Sequence, residues 1–134
     1  MGGFIWANSM SVGDPEMDAD HRKFFKLLNL LDDALRSLDG EESSRLGKEL
    51  LRHAEAHNQR EFNLLKSRGY DNIALIEDAQ HDTISKIREL NSLIDEAPLH
   101  AMLKIGEMQE AMIHYLFDGD VNYKEFLTLP RKVC

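Results

Sequence analysis

The chain has 134 residues, of which 43% are hydrophobic and 30% are charged, and its formal net charge at pH 7 is −8. A chain of this length and apolar content can bury one compact core, so we expect a single domain over residues 1–134. Lysine and arginine form no block, which argues against a nucleic-acid partner. No run of about 18 apolar residues occurs, so no membrane-spanning segment is expected.

The N-terminal sequence and the cysteine content bear on the cellular compartment. No basic segment followed by an apolar one is visible at the N-terminus, so the sequence predicts no secretory signal peptide. Cys134 is the single cysteine, which excludes an internal disulfide. Both features favour a cytoplasmic location, where thiols stay reduced.

Apolar residues at helical spacing predict four long helices, and no segment alternates with the period of a strand. The predicted helices cover 14–38, 42–68, 71–96 and 98–127, with a bend near 119 in the last one. An irregular arm over 1–13 precedes them and a tail over 128–134 follows. Asp14-Pro15 would cap and begin the first helix, and Asp39-Gly40 would end it. Short connections between four helices predict an all-α fold, an antiparallel up-down-up-down four-helix bundle.

The second predicted helix carries a polar pair in the middle of its apolar stripe. The stripe consists of Leu46, Leu50, His53, His57, Glu61, Leu64 and Leu65. Burying a histidine beside a carboxylate is costly unless the two are paired with each other or bound to a cation. His-x-x-x-Glu aims a nitrogen and an oxygen at one point, so His57 and Glu61 are candidate metal ligands. A buried His–Glu hydrogen bond is the alternative, and His53 fits a hydrogen-bonded core histidine better than a ligand.

His21 is a second polar residue on an apolar stripe, that of the first helix, where Phe24 and Phe25 follow it. A lone histidine on such a face is usually a core residue with satisfied hydrogen bonds. Neighbouring antiparallel helices, however, can bring His21 and His57 to the same level of the core. His21 is therefore the third candidate ligand.

Three segments of the chain resemble bacterial hemerythrins, and they occur in the order of that family. The segments are VGDPEMDADHRKFF at 12–25, HNQREFNLLKSRGY at 57–70 and DVNYKEFL at 120–127. The resemblance implies a non-haem diiron site between four helices that holds O2 reversibly through five histidines, a Glu and an Asp. Carried over to this chain, it implies that His21 and His57 bind one iron. Glu61 and Asp120 match the two bridging carboxylates.

The histidines that the family places on its third and fourth helices are absent from the matching positions. Counted without gaps, those positions are Ile76, Gln80 and Tyr115. One residue inserted before the third helix would bring Glu77 and His81 into those positions. A bulge near Gly119 would do the same for His114 and would allow Asp118 to replace Asp120. Apolar periodicity favours the ungapped register, because Gln80 lies near the centre of the third stripe and His81 near its edge. That register leaves a mononuclear Fe(II) centre, whereas the shifted register completes a diiron site.

These features predict three functions, in descending order of preference. The first is an iron domain, with one or two irons per chain, that binds O2 or NO for oxygen sensing or handling. The second is an oxygen-rich iron site that acts as an oxidase or peroxidase. The third is a metal-free structural or interaction bundle. Histidine and carboxylate ligands also suit Mn or Zn, so the sequence does not fix the metal, and it identifies no protein partner.

Overall fold

The computed structural model describes residues 10–117 and 123–128, and these residues form helices and turns without a strand. The helices are α1 (Pro15–Arg36), α2 (Gly40–Ser67), α3 (Ile73–Glu96), α4 (Pro98–Phe117) and α5 (Lys124–Thr128). The all-α prediction is confirmed, and the predicted ends of the long helices lie close to the observed ones. The fourth helix was predicted to reach at least 117 and, after a bend near 119, to continue to 127. The structure describes α4 to Phe117 and α5 from Lys124 to Thr128, and residues 118–122 lie outside the described residues. None of the helices over the described ranges is long and apolar enough to cross a membrane.

Capping residues explain where α1 and α2 begin. The Asp14 side chain accepts a hydrogen bond from the Met17 N–H at 3.0 Å, and Pro15 occupies the first turn of α1. Asp39 was predicted to end the first helix. Its side chain instead accepts from the Glu42 N–H at 3.1 Å and caps α2, which begins earlier than predicted for this reason. Leu38 takes the left-handed conformation that reverses the chain, with a φ of 57°.

The four long helices pack against one another, α1 against α2 and α4, and α3 against the same two. Their buried side chains form two hydrophobic clusters. The larger one runs along all four helices and includes Phe24, Leu28, Leu50, Ile87, Leu90, Ile105 and Met108. The second, which we call the end cluster, consists of Met10, Val12, Met17, Phe25, Leu65, Ile76, Leu116 and Tyr123.

The described part of the predicted N-terminal arm, residues 10–13, is held against α1 by a buried aspartate. The Asp18 carboxylate accepts a hydrogen bond from the Val12 N–H at 2.8 Å and one from the Ser11 hydroxyl at 2.5 Å. Met10 and Val12 are buried in the end cluster as a result. Residues 1–9 and most of the predicted tail lie outside the described residues.

Helices α2 and α3 are in close contact at Gly47. A Cβ atom on Gly47 would lie 2.0 Å from Asn91 Oδ1 and 2.8 Å from Ile94 Cδ1. The Asn91 amide donates a hydrogen bond to the Gly47 carbonyl at 3.1 Å, so the absence of a side chain at this position allows the contact.

We expect Gly47→Ala to lower the free energy of unfolding by about 1–3 kcal/mol, because the added methyl overpacks the α2–α3 contact. Gly106→Ala is the matched control. Gly106 is a helical glycine of α4 with nothing within 4 Å of an added Cβ. Higher helix propensity should make that variant more stable by up to about 1 kcal/mol. Chemical denaturation of the three proteins measures both effects, and a neutral Gly47→Ala would contradict the close packing.

Candidate metal centre

His21 of α1 and His57 and Glu61 of α2 form a compact group in the core. One ligand atom of each residue lies within 4.8 Å of the other two. His57 Nε2 is 3.3 Å from Glu61 Oε2, and the ring centroids of His21 and His57 are 5.0 Å apart. Over residues 10–117 and 123–128, this is the one such group of three or more His, Cys, Asp or Glu residues. His21 and His57 therefore lie side by side in the core.

His21 is 3% exposed, and its Nδ1 atom is buried without a hydrogen-bond partner among the described residues. Leaving such an atom unsatisfied costs about 1–3 kcal/mol. Burial, together with repulsion from His57, lowers the pKa of His21 to about 4. The imidazole is therefore neutral near pH 7, which is the form that binds a metal ion. His21 thus brings a neutral imidazole with an unpartnered nitrogen to the group, and such a ring fits a metal ligand.

Asp20 holds the His57 imidazole in place from the side opposite to Glu61. Asp20 Oδ2 accepts a hydrogen bond from His57 Nδ1 at 2.8 Å. Arg60 fixes the same carboxylate through two hydrogen bonds, from Nε at 2.9 Å and from Nη2 at 2.7 Å. A carboxylate behind the imidazole orients a metal-binding histidine and raises its basicity. Sequence analysis missed Asp20 and Arg60, since charged residues off the apolar stripe resemble ordinary surface residues.

The charges in this network shift one another's pKa values. Burial alone would raise the pKa of Asp20, but the hydrogen bonds from His57 and Arg60 hold it far below its usual range. Burial alone would lower the pKa of His57, but its hydrogen bonds with Asp20 and Glu61 raise that pKa to about 9. Metal-free His57 is therefore an imidazolium between two carboxylates near neutral pH.

Both oxygens of the buried Glu61 carboxylate accept hydrogen bonds. Gln80 Nε2 donates to Oε1 at 2.9 Å, and the Tyr123 hydroxyl donates to Oε2 at 2.5 Å. Burial would raise the pKa of Glu61, but the hydrogen bond from His57 and the attraction of its charge keep the pKa below its usual value. Burial raises the pKa of Tyr123 well above its usual value, so this phenol remains a donor.

The structure places the ungapped set of positions, and not the shifted set, beside this group. Ile76, Gln80 and Tyr115 line the same cavity as His21, His57 and Glu61. Glu77, His81 and His114 are exposed, and the first two line a separate cleft between α2 and α3. The ungapped positions therefore face the cavity in this structure, and the shifted ones face solvent. A shift of one residue turns a side chain by about 100° around the helix, which moves it off the buried face. Asp118 and Asp120 lie outside the described residues.

The cavity beside the group has a volume of about 230 Å³. Phe24, Ile76 and Met108 supply apolar walls, and Tyr115 stands among them. Burial raises the pKa of Tyr115, so its phenol is protonated at neutral pH. Two imidazole nitrogens and one carboxylate thus converge next to open space. Such a set with free coordination positions is typical of mononuclear non-haem Fe(II) sites.

His53 also lines the cavity, one turn before His57, but it does not belong to the group. Its Nε2 is 2.9 Å from the backbone oxygen of Asp20. Burial lowers the pKa of His53, which favours the neutral ring. The interpretation of His53 as a hydrogen-bonded core histidine is confirmed.

No protein-family model matches the chain, and no curated protein sequence matches it. The likeness to hemerythrins therefore rests on the three sequence segments alone.

The metal-free protein should be most stable near pH 6.5, because the two histidines respond to pH in opposite directions. His57 contributes stability below its unfolded pKa of 6.5, and this contribution is lost as the pH rises through about 9. His21 stays neutral in the fold, so stability also falls as the pH drops from 6.5 towards 4. Melting temperatures with chelator between pH 5 and 9 test this, at roughly 3–6 °C per kcal/mol lost. His57→Gln should remove the alkaline decline, and a wild-type midpoint that rises from pH 7 to 9 would contradict it.

Asp20→Asn should lower the pKa of His57 in the metal-free protein, because the negative partner of Nδ1 is gone. It should also weaken iron binding by about 10–100-fold. NMR titration of the imidazole measures the first effect and competition with a chelator measures the second. Asp82→Asn is the matched control, since Asp82 also lines the cavity but pairs at 2.9 Å with the exposed Lys86. Equal losses in both variants would remove Asp20 from its role behind His57.

Proposed function

We propose that this chain is a hemerythrin-like protein in which His21, His57 and Glu61 hold a single non-haem iron, used to sense or handle O2 or NO. The convergence of these three side chains in the core, with His21 Nδ1 buried and unpartnered, carries the proposal. The two nitrogens and one carboxylate suit Fe(II), although Mn or Zn would also fit them.

We also infer that the helices form the antiparallel up-down-up-down bundle expected from the sequence. Gly47 of α2 contacts Asn91 of α3, and Glu61 of α2 contacts Gln80 of α3. As the residue number rises along α2, the number of its partner in α3 falls, which is the pattern of two antiparallel helices. The short α1–α2 and α3–α4 connections favour antiparallel neighbours as well.

A single iron is favoured over two by what faces Glu61. Gln80 donates an amide N–H to Glu61 Oε1, on the side where a bridging carboxylate would bind a second metal. Ile76 has no ligand atom, and Tyr115 is held in its protonated form. We therefore propose fewer than two tightly bound irons per chain.

Each neighbouring residue has a definite task in this proposal. Iron, when bound, supplies open coordination positions for a diatomic gas. Asp20 and Arg60 orient the His57 ring, and Gln80 and Tyr123 orient the Glu61 carboxylate. The apolar walls of the cavity suit an uncharged diatomic gas. Without the second set of histidines, sensing or redox chemistry is favoured over durable O2 transport.

A metal-free structural bundle is the second candidate, and one observation favours it. His57 and Glu61 already have hydrogen-bonded partners without a cation, namely Asp20, Gln80 and Tyr123. The group could therefore persist as a buried hydrogen-bond network, in which His21 Nδ1 would remain the unsatisfied atom.

Iron stoichiometry of the purified protein tests the proposal. We expect about one iron or less per chain, a loss of tight binding in His57→Ala and Glu61→Ala with the helices retained, and a lower melting temperature after chelation. His81→Ala and His114→Ala are matched controls that should keep the iron, because both side chains are exposed. Two irons in the wild type, with losses in these two controls, would overturn the single-iron site.

Gas binding is tested separately with the ferrous protein. Exposure to NO should change the optical and EPR spectra of the wild type and leave those of His57→Ala unchanged. Exposure to O2 should oxidise the iron instead of giving a long-lived reversible complex. A stable, reversible spectrum with O2 would show that the site is a carrier after all.

A further inference from the structure

The segment Tyr123–Thr128 joins the candidate ligand Glu61 to one end of the molecule. Tyr123 is fully buried in the end cluster, and its hydroxyl donates directly to Glu61 Oε2. Further along the segment, the rings of Phe126 and Tyr70 meet edge to face with centroids 4.9 Å apart. The hydrogen bond from Tyr123 to Glu61 therefore connects the candidate metal site to the packed segment 123–128.

The segment also contacts the start of the described chain. An added Cβ on Gly13, where φ is +90°, would lie 2.5 Å from the Thr128 side chain. Met10 and Val12 are buried in the same end cluster as Tyr123. One packed unit therefore contains residues 10–13, the turn between α2 and α3, and α5.

We propose that metal binding at Glu61 is coupled to the docking of Tyr123–Thr128, so that this segment reports whether the site is occupied. The inference rests on the metal binding proposed above, but not on the gas. It assigns to α5 the role of an element whose order depends on the state of the core.

The physical basis is the sharing of Glu61 Oε2. This oxygen accepts from Tyr123 at 2.5 Å and faces His57 Nε2 at 3.3 Å. A carboxylate oxygen has two lone pairs, so a cation on the His57 side leaves one for Tyr123. A cation held by His21, His57 and Glu61 would fix the rotation of the carboxylate. The acceptor of Tyr123 would then be held in place, and α5 would dock more firmly.

Coupling of this kind is reciprocal. If metal strengthens the docking of the segment, then loosening the segment must weaken the metal by the same factor. Tyr123→Phe breaks the link and keeps the ring in the end cluster. Phe126→Ala loosens α5 from Tyr70 without altering any group near the ligands.

Hydrogen exchange measured by mass spectrometry tests the proposal on the full chain, with ferrous iron under anaerobic conditions or with chelator. We expect iron to slow the exchange of amides 124–128 at least about fivefold, the low end of typical coupling factors. The connection over 37–39, which belongs to neither the site nor the end cluster, should not respond. Tyr123→Phe should lose the response and bind iron more weakly by about the same factor. Ser67→Ala, which removes an exposed hydroxyl at the C-terminal end of α2, is the matched control and should behave as the wild type.

Phe126→Ala provides a second arm that does not depend on Tyr123→Phe folding well. In this variant, iron should slow the exchange of α5 less than in the wild type, and iron affinity should fall by the same factor. A purely local packing defect would not lower the iron affinity. Iron binding in the wild type without an α5 response overturns the coupling and leaves the metal site standing. A response that persists in Tyr123→Phe also overturns it. Absence of iron binding in the wild type overturns both proposals.

Discussion

The burial of the Glu61 carboxylate is the constraint on which the centre of this molecule depends. A charge in the core is expensive unless donors surround it, and breaking a buried pair costs several kcal/mol. Here the donors come from three different places: His57 one turn back on α2, Gln80 on α3 and Tyr123 before α5. His57 in turn is tied to Asp20 of α1. The hydrogen bonds that compensate the Glu61 charge therefore link α1, α2, α3 and Tyr123. Apolar packing alone would fix the relative positions of these elements less precisely.

Helical periodicity was enough to predict the centre of this network. His21, His57 and Glu61 lie on stripes that are otherwise apolar, and a polar residue on such a face must be satisfied or bound. The same argument placed Gln80 inside and His81 outside, as the structure has them. The resemblance of the three sequence segments to hemerythrins, taken alone, would also have allowed His81 to face the core.

The partners of these residues were not predictable in the same way. Asp20 and Arg60 are 40 positions apart, and their contact depends on how α1 and α2 face each other. Periodicity describes one helix at a time and carries no information on such pairs. The start of α2 was missed for a local reason. An aspartate at position 39 could either follow the end of α1 or cap the start of α2, and it caps α2. Leu38 adopts the left-handed conformation, which usually favours glycine and so could not be expected from a leucine.

Gln80 makes the loss of the shifted ligand set chemically consistent. A carboxylate that bridges two cations needs a positive partner on each oxygen, and removal of one cation would leave an oxygen without a partner in the core. The Gln80 amide supplies a neutral N–H to Oε1, and its second acceptor is the Asn58 carbonyl, at 3.0 Å. Glu61 Oε1 is thus satisfied without a cation, and the neighbouring Ile76 can be apolar because no further donor is needed there. The exposed His81 and His114 are likewise not needed to satisfy this carboxylate.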